Sequence, residues 1–486
     1  MKRYILVLGI LLIAWGCDDF LTVRPKSDIV ESELFLTSEG FEDALYGAYA
    51  KMAKENLYGK NLSFYVPDVL AQMYTTGKSN EGMKEMSQLH HNNDDVRDIY
   101  NGIWKEAYEA IGYVNNILKL LSLQDKSSMK YYSIYYGEAL GLRAFLHFDL
   151  VRLFAPHIGT QPNKQGIPYV RQWSPLVTPF STVKEVYAAV IDDLKKAEGL
   201  LKEGEENMGE GNDFTNNRQT HFNYYATQAL LARVYWMKGD LDSAGIYARK
   251  VIDSKQFELV EPGEITEFVA QVISIKEGIW GLYNDKLTPI YRKMFYNSDG
   301  LTGSLPPLLC PRYDYPYLYM TDPNVVDMRE AGWFRLRKGD EDSQRRLMKL
   351  FREDNMLEPT PSYPSGIKPG INMIRLPEMY LILAEALLEK EPDVARDYFD
   401  TFILSRGLKS LKEKGETLEL EDINNEWRKE FIGEGLVFYN MKRQMQDIQV
   451  FSTGDYLEGN DEIYTLPIPD SEFEFRNDDE VDNDKI

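Results

Sequence analysis

Five histidines, two cysteines and 77 acidic side chains are the residues of this 486-residue chain that would ordinarily carry catalysis or bind metal. Their spacing argues against both. His90, His91, His147, His157 and His221 contain no His-x-x-x-His pair that would set two imidazoles on one helical face. Gly77-Lys78-Ser79 matches the end of a phosphate loop, but Gln72 stands where that loop needs its first glycine. No Gly-x-Ser-x-Gly elbow occurs. With so many carboxylates, some pairs fall by chance within the roughly 5–9 Å used in glycoside cleavage. None sits in an apolar, loop-end context that would raise one pKa. The expectation is no catalytic residue, no metal and no cofactor.

Binding leaves a different trace, because the CH groups of a sugar ring or a peptide side chain pack on flat aromatic faces held by loops. Tyr74 lies beside Asn80, His91 and Asn93; Tyr291 and Tyr296 follow, and then Tyr313, Tyr315, Tyr317 and Tyr319. These two non-helical clusters are the candidate ligand-binding residues. The tyrosines would stack, and the amides and imidazole would hydrogen-bond hydroxyls. The same side chains would equally serve to pin long loops to a scaffold. Tyr131, Tyr132 and Tyr235 fall on helical patterns and are assigned to the core.

The elements that must hold these loops are helical pairs. Tyr224 to Asp253 places Ala232, Tyr235, Gly239, Ala244 and Ala248 at tetratricopeptide offsets, where small residues let two helices approach. One such hairpin cannot cover its own apolar face, so others must stack on it. Helical patterns recur from Thr37 to Ala53, Asp98 to Leu121, Tyr131 to Phe154, and from a capping box at Thr182 and Glu185 to about Leu201. They return in a hairpin beginning at Ile371 and in a last segment from Asn425 to Gln444. The stretch from Val66 to Asn93 reads as irregular. Five prolines between Ala155 and Phe180 exclude regular helix. Between Phe257 and Pro369 the helical period is lost, and Glu277 to Asn284 reads as a strand. The expected organisation is a signal peptide (1–16), a tether (17–36), an N-terminal helical part (37–255), an irregular ligand-facing subdomain (256–370), C-terminal helices (371–450), and a loop with an acidic tail (451–486).

Formal charge is −22 and the pI near 4.8, so the surface as a whole repels polyanions and nucleic acid is excluded as a partner. Lys2 and Arg3 precede an apolar run, Tyr4 to Trp15, too short to span a bilayer, and Cys17 ends it. A cysteine in this position is a candidate for lipidation and for the start of a lipid-tethered chain.

In order, these segments resemble the SusD/RagB family of Bacteroidetes nutrient-uptake lipoproteins. The resemblance rests on Cys17, Phe20, Leu21 and Pro25; on Ala44 to Tyr49; on Trp104, Tyr108, Ile111 and Asn115; and on Arg143, Ala144, Phe148 and Leu150. Further matches are the segments at Ser181, Ala229 and Ile374, and Pro467-Ile468-Pro469. Near the C-terminus Glu430, Glu434, Gly435 and Arg443 are kept, whereas Val437 and Asn440 replace the family's Arg and Asp, the joint loss of a structural charge pair. The resemblance implies a mainly α, tetratricopeptide-like scaffold carrying an irregular, loop-rich subdomain with minor β structure. It also implies a non-catalytic outer-membrane, surface-facing glycan binder with a SusC-like TonB-dependent transporter as partner, some relatives taking peptides instead. A protein scaffold and a glycosidase are the remaining alternatives.

Overall fold

The computed structural model describes residues 35, 37–76, 81–209, 211–212, 214–265, 273–296, 307–312, 314, 318–320, 324–336, 345–350 and 368–474. Cys17, Asn80, Tyr313, Tyr315 and Tyr317 lie outside them.

Helix α1 (Ser38–Met52) starts where the Thr37 side chain accepts from the Gly40 amide at 3.2 Å. A π-helical turn (Asn61–Tyr65) leads into α2 (Val66–Leu70), strand β1 (Tyr74–Thr75) and α3 (Glu81–Ser87). The expected irregular stretch from Val66 to Asn93 therefore holds two short helices, one opened by Pro67 in its first turn. The long α4 (Asp94–Leu121) and α5 (Tyr132–Phe154) pack together, and α6 (Val183–Glu206) packs on α5. The Thr182 and Glu185 capping box is present, and its helix runs past Leu201 to Glu206. The hairpin α7 (Tyr224–Lys238) and α8 (Leu241–Asp253) turns at Gly239 as the sequence requires.

Strand β2 (Gly278–Tyr283) and a second π-helical turn (Arg292–Tyr296) after α9 (Leu287–Tyr291) open the irregular region. Within it lie β3 (Cys310–Pro311), α10 (Met328–Trp333), β4 (Phe334–Arg335) and β5 (Arg346–Leu347). The helical hairpin expected from Ile371 instead begins as strand β6 (Gly370–Arg375), antiparallel to β2, and becomes helix at α11 (Leu376–Leu387). All six residues of β6 are buried, so the segment has no polar face. Such short apolar runs carry no period that separates strand from helix.

Helix α12 (Pro392–Leu404) completes the pair, α11 packs against α8, and α13 (Leu411–Lys414) and α14 (Leu420–Phe431) follow. The last helical segment is not continuous. It breaks at 432–436 and resumes as α15 (Val437–Gln444), before a short hairpin of β7 (Ile448–Gln449) and β8 (Tyr456–Leu457). No described helix is long and apolar enough to cross a membrane.

Stacked aromatic and ionic contacts tie the C-terminal helices to the first array. Trp236 of α7 stacks on Trp427 of α14 at 4.9 Å, and the Arg443 guanidinium lies 4.2 Å from the Trp236 ring while bonding Glu385 at 2.7 Å. Where the family pattern has a charge pair, Val437 is buried. Asn440 there joins a polar network, donating to the Asn424 Oδ1 at 3.0 Å and accepting from Gln444 Nε2 at 3.0 Å and from the Arg443 guanidinium at 3.3 Å.

The irregular region is fastened to the helices by buried charge. Arg375 at the end of β6 reaches Glu277 at 2.9 Å, Glu430 at 2.8 Å and Glu434 at 2.6 Å. Arg406 reaches Glu277 and Glu430, both at 2.9 Å. Arg329 of α10 reaches Asp327 and Glu426 at 2.7 Å and Glu430 at 3.1 Å. Lys349 bonds Glu434, and Lys429 bonds Glu426 at 2.8 Å. Five cations thus face five anions. Burial alone would raise the Glu430 carboxyl, but Arg406, Arg375 and Arg329 outweigh it and hold it well below the usual range.

His147, inside α5, is a satisfied core histidine. Its Nδ1 donates to the Arg143 carbonyl at 2.8 Å and its Nε2 accepts from the Val170 amide at 3.0 Å. Burial pushes the imidazole down to about 3. Between that value and the unfolded pKa near 6.5 only the unfolded chain takes up a proton. The contribution is complete above about 6.5 and is lost, at about 1.4 kcal/mol per pH unit, as pH falls toward 3. A proton NMR titration is expected to find His147 still neutral at about pH 5; a normal midpoint would contradict the burial assignment.

Candidate binding cleft

The two π-helical turns border one cleft of about 580 Å³. The first contributes Asn61 and Tyr65, the second Lys293 and Met294; α4 supplies Asp98, Ile99 and Gly102, and α3 supplies Met83. Turns of this kind widen a helix by one residue and recur at functional sites. They are joined by rings: Phe64 of the first packs edge-on against Phe295 of the second at 5.3 Å and against Tyr291 of α9 at 4.9 Å.

The loop that interrupts the last helical segment supports the first turn. Gly433 and Gly435 donate their amides to the Asp68 carboxylate at 2.6 and 3.1 Å, and the Tyr74 hydroxyl adds a third donor at 3.0 Å. Burial pushes Asp68 up to about 7, opposed by the Gly433 and Tyr74 donors. Gly435, at φ +71°, lies so close to the turn that a Cβ would stand 2.2 Å from the Ser63 carbonyl oxygen.

The polar inventory of the cleft is mixed. Lys60 and Glu55 approach to 3.6 Å at the rim, and Asn56 donates to Glu106 at 2.7 Å. Asn61 is 2% exposed, and its carboxamide oxygen is buried without a hydrogen-bond partner. An unpaired buried acceptor costs about 1–3 kcal/mol. Among the described residues, no group of three or more His, Cys, Asp or Glu is disposed to hold a metal ion.

The sequence-predicted residues distribute differently. Tyr74, Tyr291 and Tyr319 are core residues at 2%, 2% and 1% exposure, and offer no open stacking face. Tyr74 packs on Phe295 and holds Asp68; Tyr319 donates to the Lys429 carbonyl at 2.8 Å. His91 is committed at both nitrogens, to the Tyr100 hydroxyl at 3.1 Å and the Ile463 carbonyl at 3.0 Å. Asn93 caps α4 by accepting from the amides of Asp95 and Val96. Tyr296 is half-buried at the end of the second π turn, its ring facing the Arg346 guanidinium at 5.3 Å. Among the described candidates, Tyr74, Tyr291 and Tyr319 pin loops to the core, and the cleft is lined instead by residues such as Asn61, Met83, Gly102 and Lys293. The one available signal for Asn61 is the polar Gly59-Lys60-Asn61 punctuation inside an apolar run.

A family model described as "Starch-binding associating with outer membrane" (SusD-like) matches residues 19–236, and the SusD family model (SusD/RagB) matches residues 336–484. The chain belongs to the SusD/RagB family. SusD-like protein P2 of Formosa agariphila is 26% identical over 291 residues, 58% of this chain and 52% of that protein. The chain spans about half the length of the curated relatives it matches. A SusD superfamily structure from Bacteroides thetaiotaomicron shares the fold at TM-score 0.72 and 24% identity, over 90% of this chain and 98% of that one. Surface glycan-binding protein A from Bacteroides fluxus shares it at TM-score 0.68 and 18% identity, covering 91% and 97%. The mainly α SusD architecture with small two-stranded sheets is thereby established for this chain.

Proposed function

We propose that this SusD/RagB protein is a non-catalytic glycan-capture lipoprotein of the outer membrane surface. It is tethered through Cys17 and delivers oligosaccharides to a SusC-like TonB-dependent transporter. The observation that carries the reading is the cleft between the two π turns, with its aliphatic and thioether lining beneath a charged rim. The outer-membrane description of the matching family and the glycan-binding title of one structural neighbour support it. Tyr296 stands at the end of the second π turn and is the described loop tyrosine retained as a contact. Peptide capture is the second reading, favoured by the rim of both charges, Glu55 and Asp98 with Lys60 and Lys293.

Gly102 provides the test. A Cβ there meets Asn56 at an ordinary 3.6 Å, so Gly102→Trp fills the cleft from a helix face. Calorimetry of the full chain in detergent against plant, host and microbial glycans and peptide mixtures is expected to yield a glycan ligand. Gly102→Trp is expected to weaken its binding at least about tenfold, or 1.4 kcal/mol. Undiminished binding in that variant places the ligand elsewhere; a peptide ligand alone favours the second reading.

A further inference from the structure

We infer that Trp173 and Tyr113 form a second glycan platform, which continues the cleft along α4 and stacks the sugar rings of a chain long enough to reach both. This rests on the capture reading above. Among the described residues, five tryptophans are at most 2% exposed, whereas Trp173 is 52% exposed. A ring of that size contributes most when buried, so core packing does not account for one held half in water. It is nevertheless fixed in place. Its benzo ring lies over Gly112 of α4, where a Cβ would stand 3.0 Å from Cζ3 and 3.6 Å from Cε3. Glycine is unfavourable inside a helix, and here it lets the ring settle on the backbone. Buried side chains anchor the loop just before the ring. Asn115 donates to the Val170 carbonyl at 2.8 Å, Arg143 donates to the Arg171 carbonyl at 3.1 Å, and His147 Nε2 accepts from the Val170 amide. Pro175 and Pro179 restrict the backbone beyond it. A platform set before the ligand arrives loses little freedom on binding.

Position on α4 ties the platform to the cleft. At about 100° per residue, Asp98, Gly102, Lys105 and Glu109 share one face of the helix, with Gly112 and Tyr113 on its two edges. None of the six is buried. Asp98 and Gly102 line the cleft. Gly112, with Trp173 upon it, and the exposed Tyr113 stand ten residues beyond Gly102, about 15 Å along the axis. A sugar chain leaving the cleft along this face therefore runs onto two exposed aromatic rings. Their flat faces suit the CH groups of a sugar ring, and Leu176 and Val177, also exposed, widen the apolar surface. Lys105 and Glu109 on the helix, with Gln172 and Ser174 on the loop, are exposed polar groups within the same strip, suited to hydroxyls at the ring edge. Short ligands would fill the cleft alone. Longer ones would gain the platform as an intramolecular second contact.

The test is titration of the full chain in detergent with maltotriose and maltohexaose and with the corresponding laminarin, cellulose, xylan and mannan pairs. Calorimetry reads affinity, and acrylamide quenching of tryptophan emission reads cover of Trp173. In at least one series the hexasaccharide is expected to bind at least about tenfold tighter than the trisaccharide and to protect the emission. Trp173→Ala is expected to remove both the gain and the protection while leaving trisaccharide affinity, and hence the folded cleft, unchanged. Trp173→Phe keeps a stacking face and is expected to retain most of the gain. Gly102→Trp is expected to weaken both lengths. A Trp173→Ala variant that keeps the gain, a hexasaccharide that binds without protecting the emission, or equal affinity for both lengths overturns the inference and leaves glycan capture standing. Self-association in ultracentrifugation that Trp173→Ala abolishes, with sugar affinities unchanged, does the same and assigns the rings to contact between copies. Silence on every saccharide overturns both.

Discussion

Glu430→Ala is expected to destabilise the protein by about 3–5 kcal/mol, the usual cost of removing one partner from a buried ionic cluster. The carboxylate accepts from Arg329, Arg375 and Arg406 together, so its loss takes one anionic partner from each of three guanidiniums that are at most 1% exposed and leaves five cations against four anions. Five positive against five negative groups cannot be rebalanced locally, and a water-filled gap would only partly resolvate them. The denaturant midpoint, read with an unchanged slope, gives the loss. Glu203→Ala is the comparison: Glu203 pairs with Lys126 at 2.8 Å on the surface, where ion pairs contribute little, and its midpoint should stay where it is. Equal midpoints for the two variants would mean that the buried network does not hold the irregular region to the helices.

Gly435→Ala is the second large effect, roughly 3 kcal/mol. Left-handed backbone costs an alanine about 1–2 kcal/mol, and crowding against a fixed neighbour typically adds about 1–3 kcal/mol. Here the neighbour is the Ser63 carbonyl at 2.2 Å, part of the first π turn. Relief would have to move that turn, and Asn61 with it, so ligand binding should fall together with stability. Gly454→Ala separates the two causes, because Gly454 has φ +80° but open space around its Cβ position. Only the backbone penalty, about 1–2 kcal/mol, should appear there, with ligand binding untouched. Equal losses in both variants would show that the Ser63 contact yields freely.

The helical scaffold was legible because its stripes have a period. The spacing of small residues from Ala232 to Ala248 fixes two helices and a turn before any coordinates exist. Legibility ended where the period did. The strand Gly370–Arg375 was read as helix because burial on both faces erased the alternation. Loop tyrosines could be told from helical ones, but sequence does not say which side of a loop faces inward. Tyr74 and Tyr319 spend both ring and hydroxyl on the core, the use to which an amphipathic side chain is equally suited. Asn61 was invisible for a different reason. Its distinction is the lack of a partner for one oxygen, a property of everything around it rather than of its neighbours in the chain. The three-residue Gly435 contact with the first turn spans more than 370 positions of sequence and leaves no local mark.

The two π turns make the cleft sensitive to chain length in a way that point substitutions are not. Each turn holds one residue beyond what an α-helix needs over the same rise. Losing one residue between Asn61 and Tyr65 would restore α-helical winding and swing what lies on one side of the gap by about 100° relative to the other. Asn61 and Asp68 lie on opposite sides of such a deletion, so the anchored carboxylate would keep its glycine donors only by turning Asn61 away from the cleft. Insertions and deletions of single residues, more than exchanges of side chains, are therefore the steps by which proteins sharing this turn would gain or abandon a ligand.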